Sequence, residues 1–474
     1  MAPLACKQVD MNENENRIED FNRRDFLKGG SVATMMAMLG GVQVFAQANG
    51  TPPPANGPKT KVGVIGVGKW GREIVSTLAR LPMAEVAVVC DTNKSARDRA
   101  AKDAPAAAQV EDYNAVLENK EVGLVVVATP THRHKNIVLA ALKAGKHVYC
   151  EAPLAHTIED ALAIAQAAKA ATSSLFQAGL QNRSDPIRND LPLRFKSGDI
   201  GQPIMARAQW HDRSAGKNAT WRWMKETSPG LLGEKGIHAI DMAMWLLRGK
   251  PVAVSGLAAS VLPADSGGDL PDTVQAVLEF PDGAWMNYDA TVANSFDGEY
   301  ELYYGTYAAM LVRESKAWMF KEVDSPLLGW EVYAAKEQFQ QETGIVIKVQ
   351  GTSKAPPATG EAAASGSSAP AAGAAAAPAT PNSAPVEALP DPPLYYALQN
   401  FLRNGAGIAK AIQNAKEAFG DDPDAITQEV AKFPRWPAAG YVEGFQATVA
   451  ALKANEAVLA GQRVVIKPET YQLG

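Results

Sequence analysis

Three glycines, one carboxylate and a set of histidines are the residues whose types and spacing could do chemistry here. Gly66, Gly68 and Gly71 stand in G-x-G-x-x-G spacing after an apolar run, Val62 to Val67. A helical pattern follows, with Ile74, Val75 and Leu78 on one face, and the chain returns through Val86, Ala87, Val88 and Val89 to Asp91. Strand, tight turn, helix, strand and acidic residue in that order form a dinucleotide-binding unit. Gly66 permits the turn, Gly68 lets the backbone approach a pyrophosphate, and Gly71 lets the helix pack closely on the sheet. The phosphates would rest on amides at the helix start, around Lys69 and Trp70, where aligned dipoles favour negative charge. Asp91 falls near the ~20-residue distance expected of a ribose hydroxyl acceptor. Its charge repels an extra phosphate, so NAD is expected over NADP. The glycines alone would fit any glycine-rich turn; the strand and helix around them carry the signal.

The elements that must position these groups alternate. Helical patterns over 94–104 and 112–119 lead to Val122–Ala128, whose continuous apolar character suits a parallel strand covered on both faces. Thr129, Pro130, Thr131, His132, Arg133 and His134 follow at the strand's carboxyl end, where doubly wound sheets bind ligands. His132 and His134 either help hold the nicotinamide or substrate, or serve as capping or surface residues. A helix over 135–144, a strand His147–Cys150, the segment Glu151-Ala152-Pro153, an alanine-rich helix over 158–170 and a strand Leu175–Ala178 complete a Rossmann domain placed at 61–180.

Beyond it the pattern becomes α+β, assigned to 181–349 as a substrate and oligomerisation domain. A helix over 186–197 ends at Gly198, and a strand spans Ile204–Trp210. A helix begins near Gly236 and carries His238, Asp241 and Trp245 on or near one face. Strands follow over 252–261, 273–280, 284–293, 299–305, 308–313 and 316–320, with Pro281-Asp282-Gly283 as a hairpin turn. Their alternation suits an open, mostly antiparallel sheet. Arg183, His211, Trp221, Arg222 and Trp223 are candidates for a sugar platform and its hydrogen-bonding rim; packing explains the tryptophans equally well. The stretch 350–393 is mostly Ala, Pro, Ser and Gly, a composition expected to stay disordered. Helical patterns over 394–404, 409–418 and Tyr441–Leu459 and a strand Arg463–Lys467 are expected to pack back on the body, giving a final segment of 394–474.

At the other end, Arg23-Arg24-Asp25-Phe26-Leu27-Lys28 precedes a mildly apolar stretch ending in Ala46-Gln47-Ala48. That pattern resembles a twin-arginine (Tat) signal, expected over 1–48 and followed by a Pro-containing linker over 49–60. It implies the Tat export machinery as a partner and a periplasmic or extracellular protein, membrane-associated if the signal stays uncleaved. The chain has 474 residues, enough for two domains, and a formal charge of -5 from 46 basic and 51 acidic residues. No basic excess points to a nucleic acid. The histidine spacings match no metal motif. Cys90 and Cys150 end apolar runs and read as buried thiols.

Taken together, the chain resembles the Gfo/Idh/MocA oxidoreductases over roughly 61–340. The resemblance rests on the glycine turn, Ala128-Thr129-Pro130-Thr131-His132, Glu151-x-Pro153 and the Gly233–Asp241 segment. It implies a Rossmann domain with a second sheet domain, a sugar or cyclitol substrate, and a homo-oligomer. It also implies that Glu151 faces the cofactor. In the family a lysine between Glu151 and Pro153 moves the alcohol's proton; here that residue is Ala152. The family's second acidic position is Glu234 here, and His238 and Asp241 are kept. Three readings follow. His238, oriented by Glu234 or Asp241, replaces the lysine in an NAD-dependent sugar oxidoreductase. Alternatively the protein is a redox-neutral NAD-dependent glycosidase or lyase, or a catalytically silent sugar-binding protein.

Overall fold

The computed structural model describes residues 59–217, 220–263, 268–339, 342–347 and 391–474. The signal at 1–48, nearly all of the linker at 49–60 and all but the last residues of the Ala/Pro-rich stretch at 350–393 lie outside them.

Among the described residues the strands form two sheets. The first is built from β1 (Thr60–Ile65), α1 (Lys69–Arg80), β2 (Ala84–Cys90), α2 (Lys94–Ala100), β3 (Ala108–Val110), α3 (Tyr113–Glu118), β4 (Leu124–Val127), α4 (His134–Lys143), β5 (His147–Cys150), α5 (Ile158–Ala170) and β6 (Phe176–Ala178). All its strands are parallel, in the order β3-β2-β1-β4-β5-β6. The chain winds outward from β1 to β3, then crosses back to β4 on the other side of β1. That reversal opens a crevice beyond the carboxyl ends of β1 and β4. β4 and β5 are buried at every residue, as strands covered on both faces must be.

The second unit contains α6 (Pro186–Ser197), β7 (Pro203–His211), α7 (Ile237–Leu246), β8 (Ala253–Ala259), β9 (Thr273–Glu279), β10 (Trp285–Thr291), β11 (Glu299–Gly305), β12 (Ala308–Arg313), β13 (Lys316–Lys321), β14 (Lys336–Phe339) and β15 (Glu342–Val346). The chain ends with α8 (Pro393–Phe419), α9 (Pro423–Lys432), α10 (Tyr441–Ala460) and β16 (Val464–Val465). The second sheet runs β14-β15-β13-β12-β11-β7-β10-β9-β8-β16; only β7 and β10 pair in parallel. Alternate residues of β9, β10 and β11 are buried, the mark of a sheet with one face on the core.

Several elements differ from the sequence expectation. The two late helices expected over 394–404 and 409–418 are one, α8. Gly405 and Gly407 between them read as a break, but a Cβ at Gly405 would press on Leu124 at 3.1 Å and one at Gly407 would meet the Phe433 ring at 1.9 Å. The glycines admit close neighbours rather than ending the helix. The short β3, the β14–β15 hairpin and α9 were not anticipated. β14 is exposed at every residue and carries no alternation to detect. The helix expected near Gly236 is preceded by a π-helical turn, Leu232–Gly236.

The late helices close the core. Leu394, Leu398, Phe401 and Leu402 of α8 pack with Val62, Val64, Leu124, Val126 and Tyr149 on one face of the first sheet. Phe401 stands edge-on to Tyr149 at 5.7 Å. α10 lies between the two sheets, where Thr448 accepts the Leu154 amide at 3.1 Å and Gly444 fits against Ala178 and Leu154. A buried polar cluster also ties α6 to the second sheet: Arg188 pairs with Asp185 and Glu301, and Tyr303 donates to Glu301 at 2.7 Å.

Candidate active site

The glycine turn takes the shape its spacing demands. Gly66 adopts φ +89°, and a Cβ there would lie 2.6 Å from the Thr129 amide. A Cβ at Gly71 would fall 1.9 Å from the Gly66 carbonyl oxygen, so the start of α1 touches the turn itself. Gly68 caps α1 with no side-chain partner for the helix amides, and a Cβ there would meet nothing within 4 Å. No side chain caps the start of α1, and room is left beside Gly68, as a cradle for an anion requires. Asp91 braces the turn, accepting from the Val67 amide at 2.9 Å and the Asn93 amide at 2.8 Å. Two bonds leave the carboxylate room for a hydroxyl donor. These residues fit a dinucleotide. Lys69 and Trp70 are exposed on the first turn of α1.

The loops after β4 and β5 supply the next groups. Thr129 and Pro130 are half-buried, and the Thr129 hydroxyl has no hydrogen-bond partner. Thr131 donates to Glu234 at 2.8 Å, joining the two sheet units across the cleft. His132 packs beside Trp221 with ring centroids 6.2 Å apart, a second cross-cleft contact. His134, a cofactor candidate from sequence, is instead a strut. Fully buried, it places Nε2 2.9 Å from the Thr129 carbonyl and Nδ1 3.1 Å from that of Pro153, tying the two loops together. Glu151 ends β5 with 8% exposure and one oxygen unpartnered. Burial pushes its carboxyl up to about 7, against the opposing pull of the Trp70 indole, the Ala152 amide, the Tyr149 hydroxyl and the Lys235 charge. A Cβ at Gly179 would crowd Glu151 Oε2 at 2.8 Å, so that glycine makes the room the carboxylate occupies.

The second wall is the π-helical turn and α7. Glu234 also accepts from Ser228 at 3.3 Å and faces Arg222 at 4.0 Å; burial raises its pKa while Arg222 and Thr131 oppose. Asp241 is 1% exposed and bound by Arg183 through bonds of 2.8 and 2.9 Å. The expected pairing of His238 with Glu234 or Asp241 is therefore absent: both carboxylates are engaged elsewhere. His238 Nδ1 is buried and meets no partner. Burial, followed by the Lys235 and Arg188 charges, lowers its pKa to about 4. It is a neutral imidazole at pH 7.

The proposed sugar rim divides. Trp221 is half-buried, with Arg222 stacked over it at 5.1 Å and exposed. Trp223 is 3% exposed and belongs to the core, against Gly268. Arg183 is the partner of Asp241 and lies over Trp245 at 4.8 Å. His211 has both nitrogens occupied, by Asp289 at 2.6 Å and the Phe296 carbonyl at 3.1 Å. For Trp223, Arg183 and His211 these structural contacts replace the expected substrate contact. Cys90 and Cys150 are free and buried.

Sequence reasoning passed over Lys235, although it lies inside the quoted Gly233–Asp241 segment. It is half-buried, its ammonium 4.8 Å from the centre of the Trp210 ring. It also missed Tyr288, whose buried hydroxyl is unpartnered and whose ring fills the space beside Gly236. Nothing in the spacing of Tyr288 or Trp210 marks them; they come to the site through the register of β10 with β7, where Tyr288 pairs with Ala208 and Ala290 with Trp210.

A glycine-cradled crevice on a parallel sheet, walled by a second sheet unit, defines a two-domain dinucleotide-binding protein. Residues 60–178 match the model described as "Oxidoreductase family, NAD-binding Rossmann fold", and 194–308 match the GFO/IDH/MocA C-terminal domain. The chain belongs to the Gfo/Idh/MocA oxidoreductase family, and its first domain is the NAD-binding Rossmann domain of that family. Residues 20–40 match the twin-arginine translocation signal. An inositol 2-dehydrogenase of Saccharopolyspora erythraea is 33% identical over 235 residues, 49% of this chain and 66% of that one. Levoglucosan dehydrogenase of Pseudarthrobacter phenanthrenivorans is 28% identical over 48% of this chain and 67% of its own. A 2,7-anhydro-N-acetylneuraminate hydratase of Escherichia coli is 27% identical over 53% and 66%. The chain thus spans 66% of the length of the first of these, and only 54% of the inositol 2-dehydrogenase of Salmonella typhimurium. A solved levoglucosan dehydrogenase, in complex with NADH and L-sorbose, shares the fold with a TM-score of 0.62 at 19% identity, over 86% of this chain and 99% of that one. Among the described residues no helix is long and apolar enough to cross a membrane.

Proposed function

We propose that the protein is an exported, NAD-dependent oxidoreductase that removes hydride from a ring carbon of a cyclic polyol, sugar or glycoside. One observation carries this reading: the glycine turn and Glu151 share a cleft with the Glu234–His238 segment, and the Thr131–Glu234 bond holds the walls together. NAD+, when bound, supplies the hydride acceptor. Gly66, Gly68, Gly71 and the start of α1 hold its pyrophosphate, and Asp91 takes a ribose hydroxyl. His238, uncharged at neutral pH, hydrogen-bonds a ring hydroxyl. Trp221 and Arg222 form the sugar-facing rim. The inositol and levoglucosan dehydrogenases among the relatives support the substrate class.

The test is absorbance at 340 nm when the purified protein and NAD+ meet myo-inositol, scyllo-inositol, levoglucosan and a glycoside panel. NADH should accumulate with at least one of them. His238→Ala is expected to lower kcat/KM by about 10²-fold or more while leaving NADH affinity unchanged; undiminished turnover removes His238 from the reaction.

A second reading has its own support. An exported enzyme meets no cytoplasmic pool to recycle its cofactor, and a hydratase stands among the relatives. A redox-neutral cycle on a glycoside would release the aglycone with no net NADH, which the same assay separates by product analysis. The apolar side chains exposed after β13, among them Val323, Leu327 and Tyr333, support a homo-oligomer; light scattering of the purified protein checks it.

A further inference from the structure

Oxidising a ring alcohol removes a hydride from carbon and a proton from oxygen. The proton needs a base in contact with the hydroxyl, and Ala152 offers only a methyl group. Several other polar groups of the cleft are committed, while Thr129, His132 and Tyr288 each keep an unpartnered polar atom. Asp241 is held by Arg183, Glu234 by Thr131 and Ser228, Asp91 by two backbone amides, and His211 by Asp289. Glu151, at the end of β5, is 8% exposed and sits in the room that Gly179 leaves. His238 has no acidic partner to strengthen it as a base.

Lys235 differs from all of these. It projects from the π-helical turn Leu232–Gly236, a wider coil of the kind found where a helix re-aims a functional side chain. Among the described residues no carboxylate comes within ion-pairing distance of it. The charged and titratable groups around it come from several elements: Glu234 on its own turn, Arg222 on the Trp221–Trp223 turn, Asp212 after β7, Glu299 at the start of β11, Glu151 at the end of β5 and His238 on α7. The Trp210 ring gives an ammonium a face to rest on.

We propose that Lys235, reaching the cleft from the second domain, is the catalytic base that stands in for the lysine missing at Ala152. The assignment rests on the dehydrogenase reading above. The neutral ε-amine takes the hydroxyl proton: the O–H bond breaks and an N–H bond forms. NAD+, when bound, would supply the acceptor for the C–H electron pair, which leaves as hydride as the carbonyl forms. The ammonium then gives its proton to water, and in the reverse direction it protonates the alkoxide. Burial, reinforced by Arg222, lowers the Lys235 pKa against the acidic groups, which enlarges the fraction of amine ready to act near neutrality.

The test uses the full exported protein, with NADH binding followed by tryptophan fluorescence to show that each variant folds. On a polyol of the panel that the wild type oxidises, Lys235→Met and Lys235→Arg should each lose about 10²–10⁴-fold in kcat with NADH affinity kept. The rise of wild-type kcat/KM with pH should flatten in both. Ala152→Lys placed in Lys235→Met should recover at least about tenfold, a partial return of that general-base factor. Independently of turnover, acetic anhydride near neutral pH should acetylate Lys235 before the exposed Lys102 and Lys143 by mass spectrometry, and bound NADH with a polyol should protect it. Lys235→Met with wild-type kcat and an unchanged pH profile overturns the assignment. So does Lys235 reacting no faster than Lys102, or activity lost only in Glu151→Gln, which would make Glu151 the base. If the wild type oxidises no polyol and retains no nucleotide, the dehydrogenase reading fails, and this assignment with it.

Discussion

Glu151 and His238 share one cleft, and burial moves them in opposite directions because their charged forms are opposite: one is ionised when it loses a proton, the other when it gains one. Glu151 has a folded pKa of about 7 against an ordinary 4.5. Folding therefore favours its protonated form. The stability this gives is fully present below pH 4.5 and is lost as pH rises through 7. Glu151→Gln cannot ionise, so at pH 8 it is expected to be more stable than the wild type by up to about 3 kcal/mol, and near neutral in effect at pH 4. Denaturant unfolding at the two pH values checks this; equal effects at both would exclude ionisation of Glu151 as the cause. His238, at about 4 against 6.5, runs the other way. Its contribution is present above pH 6.5 and lost as pH falls through 4. An inflection near 6.5 in the rate profile is not expected from this imidazole.

At the scale of elements, α8 supports the cofactor domain. It is separated from β6 by the whole second unit, yet it covers one face of the first sheet. Phe401 is fully buried against Tyr149, in the layer that also holds Val62, Val64 and Val126. Phe401→Ala should cost about 3–5 kcal/mol, the transfer loss plus the cavity left beneath β1 and β4, read as a lower urea midpoint with unchanged slope. The helix itself was legible only in halves. Asn404-Gly405-Ala406-Gly407 carries the local signature of a helix end, and only the packing of Leu124 and Phe433 onto those glycines explains why the helix continues. The β14–β15 hairpin escaped sequence reading for the opposite reason. It borders the sheet, buries little, and shows no period-two pattern.

At the scale of the whole molecule, α10 lies between the two sheets and the Thr131–Glu234 bond crosses the cleft, so the site is complete only after the chain has folded from β1 to α10. A twin-arginine signal suits such a protein, because that route carries proteins already folded around a cofactor. Replacing Arg23 and Arg24 by lysine is expected to leave a folded, NADH-binding protein in the cytoplasm; cell fractionation checks it, and undiminished export would remove the signal from that role.

What the sequence determined is the cofactor half. The roles of Gly66, Gly68, Gly71 and Asp91 are local: a positive φ, a tight helix approach and an acceptor at the end of the next strand depend on neighbours within one β-α-β unit. The same holds for most strands of the second sheet, whose alternation reports burial directly. Tertiary structure decided the chemistry of the other wall. Asp241 and Glu234, which the family resemblance offered as partners of His238, became partners of Arg183 and Thr131, because which group meets a buried carboxylate depends on residues brought from other elements. Lys235 carried no mark in the sequence beyond its charge. Its place beside Trp210, opposite Glu151 and without an ion pair among the described residues, exists only once both sheets enclose the cleft.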